Sequence, residues 1–143
     1  EQELKCMHEK NKNFNFYDAY DASVHKKGRI PTDSKLKYTR FKQTDFCCEI
    51  NNNHITFPTV SYPNYIEGHH LVPISAQRNF STTNLDCIEN IVSLCPNCHS
   101  QIHYGTREAK LEAFNKIIKN RKKDLESIGF TEEILKVIFE IYY

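Results

Sequence analysis

Four of the seven histidines fall into two short blocks, His69-His70 and His99-x-x-x-His103. Two imidazoles at i and i+4 of a helix lie on one face, the usual way for one helix to offer two nitrogens to one cation. A third imidazole from a strand at 69–70 completes a three-nitrogen set and leaves coordination positions open for water and phosphate. Catalysis needs such an open site. Neighbouring strand residues point to opposite faces, so His69 and His70 cannot both face one centre on a regular strand. Gly68 and Pro73 would help to distort it. The histidine left over is free to act as a base, and an ordinary pKa near ~6.5 suits that task at neutral pH. Cysteine provides a second cluster. Cys95-Pro-Asn-Cys98 is half of a zinc knuckle, and the matching half is sought at Cys47-Cys48-Glu49-Ile50. Buried free thiols acting as small hydrophobes are the plain alternative.

The elements around these residues follow from periodicity and punctuation. Residues 1–20 read as a short helix or loose arm, and Lys26 to Pro31 as a break. Asn51-Asn52-Asn53 marks a turn before the β-leaning His54 to Phe57. Ile66 to Ile74 predicts a strand ending near Pro73, residues 77–86 a polar loop, and Ile91 to Leu94 a second strand. A helix is predicted over 96–104, with Pro96 in its first turn and Gly105 at its end. Ala113, Phe114, Ile117, Ile118, Leu125 and Ile128 recur at helical spacing as far as Gly129. Thr131 then caps a final helix, with Glu132 and Glu133 at its positive end. Strand, loop, strand, helix, helices is an α+β order built on a small finger. The chain divides into an N-terminal basic and aromatic segment (1–45), a core (46–105) and a helical extension (106–143).

Bulk composition is compatible with a single domain: 143 residues, 39% hydrophobic, 26% charged, with nine Phe and eight Tyr. No apolar run approaches the ~20 residues of a membrane helix. A secretory leader is not evident either, so a cytoplasmic location is expected, with six cysteines serving as thiols or metal ligands. The net charge of +1 hides a pattern. Residues 46–105 hold Arg78 alone against Glu49, Glu67, Asp86 and Glu89, whereas Arg107 to Lys123 holds seven basic and two acidic residues. A cation-poor centre between basic flanks suits an enzyme that grips phosphates at its edges and takes central charge from a metal. A solvated helix face is the plain reading of the same run.

The segment Glu67-Gly-His-His-Leu-Val-Pro73, followed by Asn90-Ile-Val-Ser-Leu-Cys-Pro-Asn-Cys-His-Ser-Gln-Ile-His103, resembles the signature of HNH nucleases. Its C-x-x-C-H ending is similar to the zinc-bearing branch found in many bacterial restriction endonucleases. The resemblance implies a ββα-metal finger with a structural zinc knuckle. It also implies roles: His70 as general base, Asn90 tying the loop and orienting that base, and His69 and His99 holding a catalytic divalent cation. His103 matches a further ligand in some lines and a phosphate contact in others. For the zinc, the resemblance implies Cys48, Cys95 and Cys98. Asn51 stands where relatives carry the second upstream Cys, which leaves Cys47, His54 or Cys87 for the fourth place, with Cys47 or His54 preferred.

The implied reaction is hydrolysis of DNA phosphodiester bonds with Mg²⁺, Mn²⁺ or Ni²⁺, of restriction or phage-defence type and with modified DNA as one target class. Lys116, Lys119, Arg121, Lys122 and Lys123 are the expected phosphate contacts on double-stranded DNA. One such centre cuts one strand, so a homodimer would supply the second cut. A catalytically silent, zinc-stabilised nucleic-acid-binding module and a nuclease toxin domain remain as alternatives.

Overall fold

The computed structural model describes residues 30–143. Readings of residues 1–20 and of most of the Lys26–Pro31 break lie outside the described residues. Helix α1 (Ser34–Gln43) starts at Asp33, whose carboxylate accepts the Lys35 N–H at 2.9 Å. This N-cap satisfies a donor that the helix itself cannot. Asp45 and Phe46 then take positive φ, 53° and 54°, and turn the chain sharply into the cysteine loop. Phe46 holds this conformation with its ring against Tyr62 and Tyr38. Tyr62 also packs on Phe41, the buried residue of α1.

Strands β1 (Glu67–His70) and β2 (Ile91–Leu94) pair antiparallel, with Glu67 opposite Leu94 and His70 opposite Ile91. The expected strand to residue 74 is cut short for a definable reason. Asn90 is fully buried, and its side chain accepts the Val72 N–H at 2.8 Å while donating to the Val72 and Leu85 carbonyls at 2.9 and 2.8 Å. These bonds replace the ladder and bend the chain into a 3₁₀ turn (Ile74–Asn79). A second 3₁₀ turn (Ile88–Asn90) feeds β2.

Helix α2 (Pro96–Tyr104) follows β2 directly. Its end at Gly105 is not left-handed, since φ is −64° and ψ 168°. Glycine is needed there for space, because a Cβ would lie 2.6 Å from the Gln101 carbonyl oxygen and 3.0 Å from the Ala109 Cβ. Helix α3 (Arg107–Ser127) is capped by Thr106 and kinks at Arg121. It buries Ala113, Phe114, Ile117, Ile118 and Leu125, the apolar stripe expected from the sequence. Gly129 does adopt positive φ (94°), and helix α4 (Glu132–Tyr142) begins after the Thr131 cap. The core joins Leu71, Val72, Val92, Leu94 and Ile102 of the finger to the stripes of α3 and α4, so the helical extension and finger share one apolar interior. Helix α1 packs on β2, and Asn120 of α3 donates to the Glu49 carbonyl at 3.0 Å. No helix of the described residues is long and apolar enough to cross a membrane.

Candidate metal centres and active site

Strand β1 and helix α2 bring His69, His99 and His103 together, with one ring nitrogen of each within 4.8 Å of the others. The Nε2 atoms of His99 and His103 are 3.0 Å apart. Metal–nitrogen bonds of ~2.1 Å at a right angle would separate two ligand nitrogens by roughly 3.0 Å, so the helix pair fits one cation without rearrangement. His99 Nδ1 meets the Glu67 carboxylate at 2.6 Å. A carboxylate accepts only, so the imidazole carries its proton on Nδ1 and keeps Nε2 bare for a metal. Glu67 and His69 are two apart on β1 and therefore share a face. That period-two spacing is the signal by which Glu67 could have been assigned from sequence.

Burial, reinforced by His99 and His103, holds His69 well below the ordinary histidine range. Burial and then His99 lower His103 as well. Both shifts favour the neutral imidazole, the form that binds metal.

His70 lies beside the same cleft yet does not enter the three-histidine cluster. Its Nε2 is 2.8 Å from Asp86 Oδ1, and Asp86 Oδ2 accepts the Asp33 N–H at 2.7 Å. The strand alternation that opposed a shared focus for His69 and His70 thus sends them to different partners. Asp86 fixes the Nε2–H tautomer of His70 and leaves Nδ1 as the lone-pair nitrogen. Sequence reasoning missed Asp86, which lies 16 residues away in a polar loop with no motif around it. Asn90 closes the loop through backbone groups, and its side chain bonds Val72 and Leu85 rather than the His70 ring. The cleft, about 480 Å³, is lined by His69, His70, His99 and His103, with Lys37 and Lys110 among its walls.

The second cluster is Cys48, His54, Cys95 and Cys98, whose ligand atoms also lie within 4.8 Å of one another. His54 Nδ1 is 3.3 Å from Cys98 Sγ and 3.6 Å from Cys95 Sγ. Tetrahedral zinc, with Zn–S of ~2.3 Å and Zn–N of ~2.0 Å, separates sulfur and nitrogen by roughly 3.5 Å. The donors and their spacing fit zinc. A hydrogen bond from Cys98 pulls the Cys48 thiol down to about 4, and the same contact pushes Cys98 up. The cluster already favours one thiolate, and zinc stabilises further ones.

Two sequence-based expectations need correction. Cys47 is not in the cluster: its thiol donates to the Asp45 carbonyl at 3.4 Å, and its carbonyl accepts the Ser93 hydroxyl at 3.0 Å. Adjacent residues in an extended loop point apart, so Cys47 and Cys48 cannot both face one ion. Cys87 also lies outside, with burial pushing its thiol up to about 12. Arg121 is the second correction. It is 4% exposed and donates to the carbonyls of Ile91, Ile88 and Glu89 at 2.8, 3.1 and 2.8 Å, besides pairing with Glu49 and Asp124. It is a strut between α3 and the sheet and presents nothing to a phosphate. Lys116, Lys119, Lys122 and Lys123 are exposed on α3, with Lys116 bonded to Glu112 at 2.9 Å.

Two short antiparallel strands followed by a helix, three histidines across them and a Cys₃His cluster at the strand–helix junction together define a ββα-metal finger. Residues 47–105 match the family model for HNH endonuclease, and this segment is an HNH-family domain. Over 79 residues the chain is 30% identical to the type IV methyl-directed restriction enzyme EcoKMcrA of Escherichia coli (strain K12). That stretch is 55% of this chain and 26% of the relative, so the chain matches about a quarter of that protein's length.

Proposed function

We propose that the chain is a metal-dependent endonuclease that hydrolyses DNA phosphodiester bonds, of the restriction type. One observation carries the reading: three histidines fit for one cation and a fourth, paired to a carboxylate, line the same cleft. His69, His99 and His103 are the residues that would hold the cation, and their nitrogen donors favour Mn²⁺ or Ni²⁺ over Mg²⁺. When bound, the cation supplies Lewis-acid polarisation of the phosphate and neutralises charge on the leaving oxygen.

The remaining work falls to the chain itself. His70 Nδ1 takes the proton from the attacking water, and Asp86 holds the ring and stabilises the imidazolium that results. Lys37 and Lys110 at the cleft hold the flanking phosphates. The exposed lysines of α3, Lys116, Lys119, Lys122 and Lys123, extend the contact along a duplex without reading sequence. Zinc on Cys48, His54, Cys95 and Cys98 pins the start of α2 and thereby the spacing of His99 from β1. A preference for methylated DNA is a property in the relative's name, and a methylated plasmid beside an unmethylated one tests it separately for this chain. Breaking both strands of duplex DNA needs two cuts, from two protomers or two visits.

The test is incubation with supercoiled plasmid, methylated and unmethylated, in Mg²⁺, Mn²⁺ or Ni²⁺, beside EDTA and His70→Ala controls. Metal-dependent nicking of either plasmid that disappears in His70→Ala supports the reading. Intact plasmid in every metal, or equal cutting by the variant, refutes it.

A further inference from the structure

Helix α4 is followed by a C-cap residue, Tyr143, that no sequence motif marks. The Tyr143 hydroxyl is 2.5 Å from the Leu71 carbonyl oxygen and 2.7 Å from His69 Nε2. A carbonyl only accepts, so two oxygens at 2.5 Å require the phenol's single proton between them. The phenol oxygen then has only lone pairs to offer His69, and Nε2 must be the donor. A neutral imidazole with its proton on Nε2 carries its lone pair on Nδ1. An imidazole that ligates a metal is the neutral form, so Nδ1 is the nitrogen that His69 has left to coordinate.

We infer that Tyr143 is a positioning residue for the three-histidine centre: through the relay Leu71 C=O···H–O–Tyr143···H–Nε2 of His69, it presents His69 Nδ1 to the cation. Glu67 does the same for His99 at the other ring nitrogen, holding Nδ1–H and freeing Nε2. The two helical and strand ligands therefore use different nitrogens, each set by a partner on the far side of its ring. Tyr143 is itself held from three sides. Its ring stacks on Phe139 (5.7 Å, 4°) and lies against Phe114 (5.1 Å), and its carbonyl accepts the Lys110 ammonium at 3.0 Å. The packing of α4 on α3 thus decides the tautomer of a strand residue 74 positions away. The metal role rests on the proposed function, whereas the tautomer does not.

The experiment is two-part. Long-range ¹H–¹⁵N spectra of the imidazoles are recorded at pH 7.5 on zinc-loaded protein with the histidine centre empty, and His69 is assigned by its absence in His69→Gln. Wild type is expected to show a protonated Nε2 and a bare Nδ1 at His69, and diamagnetic Cd²⁺ or Zn²⁺ is expected to move the Nδ1 resonance. Tyr143→Phe keeps the ring on Phe139 and Phe114 and removes only the relay. It is expected to give mixed tautomers at His69 and a loss of Ni²⁺ affinity of about 10-fold or more by calorimetry, at the reported scale for outer partners of metal ligands. A native-like ¹H–¹⁵N backbone spectrum for the variant accompanies that result. A protonated Nδ1 in wild type overturns the inference without any variant, as does unchanged Ni²⁺ affinity in a folded Tyr143→Phe. A wild type that shows the relay and binds Ni²⁺ but leaves plasmid uncut refutes the nuclease reading and leaves the relay standing.

Discussion

Arg121→Ala separates a structural strut from a phosphate contact, and its cost can be worked from the bonds it removes. Arg121 donates to three backbone carbonyls, of Ile91, Ile88 and Glu89, and pairs with Glu49. The Ile88 carbonyl keeps the Ile91 N–H, so the carbonyls of Ile91 and Glu89 lose the donor described here, at roughly 1–3 kcal/mol each. Glu49 does not become an isolated charge, since Arg40 and the Ser93 N–H still bind it. Water can reach part of the space that the side chain vacates, so the sum falls toward the lower end, about 2–4 kcal/mol. A domain stable by ~5–15 kcal/mol would lose a large fraction of its stability. At roughly 3–5 °C per kcal/mol for a chain of this size, the melting temperature should fall by about 6–20 °C. Urea unfolding and thermal melts measure this directly, with Lys122→Ala and Lys123→Ala as exposed controls expected within ~0.5 kcal/mol of wild type. Arg121→Lys should recover little, because one ammonium cannot span carbonyls and carboxylate together. Should Arg121→Ala melt within about 2 °C of wild type while weakening DNA binding, the strut argument would be wrong and the exposed-face reading restored.

Three further outcomes follow from the geometry. His54→Ala should release zinc, seen by a chromogenic chelator and a lower melting temperature, whereas Cys47→Ser should retain it; the reverse result would put Cys47 in the knuckle. Asp86→Asn should leave Ni²⁺ affinity within about 2-fold while lowering nicking by roughly 10²-fold or more, the scale of a positioned general base; equal loss in both would mean that Asp86 acts on the metal ligands. With the histidine centre empty, stability should fall as pH drops below 6.5, because His69 is neutral when folded and takes a proton when unfolded. The unfolded state binds the extra proton between its own pKa and the depressed folded one, so this single buried histidine contributes a slope of at most ~1.4 kcal/mol per pH unit. Urea midpoints at pH 5.5 and 7.5 that coincide would contradict the burial of the neutral ring.

Much of this protein was legible along the chain because its chemistry is written in short spacings. His99 and His103 are one helical turn apart, Cys95 and Cys98 straddle a strand–helix junction, and Gly129 and Thr131 mark helix ends. The apolar stripe of α3 could be read for the same reason, since helical periodicity acts over neighbours three and four residues apart. Where local signals were mixed the reading drifted. Helix α1 carries only one buried residue and little amphipathic pattern, so it passed as part of a basic segment although its Lys37 reaches the cleft.

The sequence by itself determined the ligand types, the finger's order and the helical pair that can grip a cation. Tertiary structure alone decided which groups meet across long separations. His54 reaches Cys98 over 44 residues, Asp86 meets His70 over 16, Arg121 meets Glu49 over 72, and Tyr143 meets His69 over 74. Like residues, such as the thiols Cys47 and Cys48 or the cations Arg121 and Lys122, take opposite roles because the backbone turns one inward and the next outward. For Arg121 that choice is made by the packing of α3 on the 3₁₀ turn Ile88–Asn90 and the start of β2. A single side chain's burial depends on what the rest of the chain brings to it, and no local pattern carries that information.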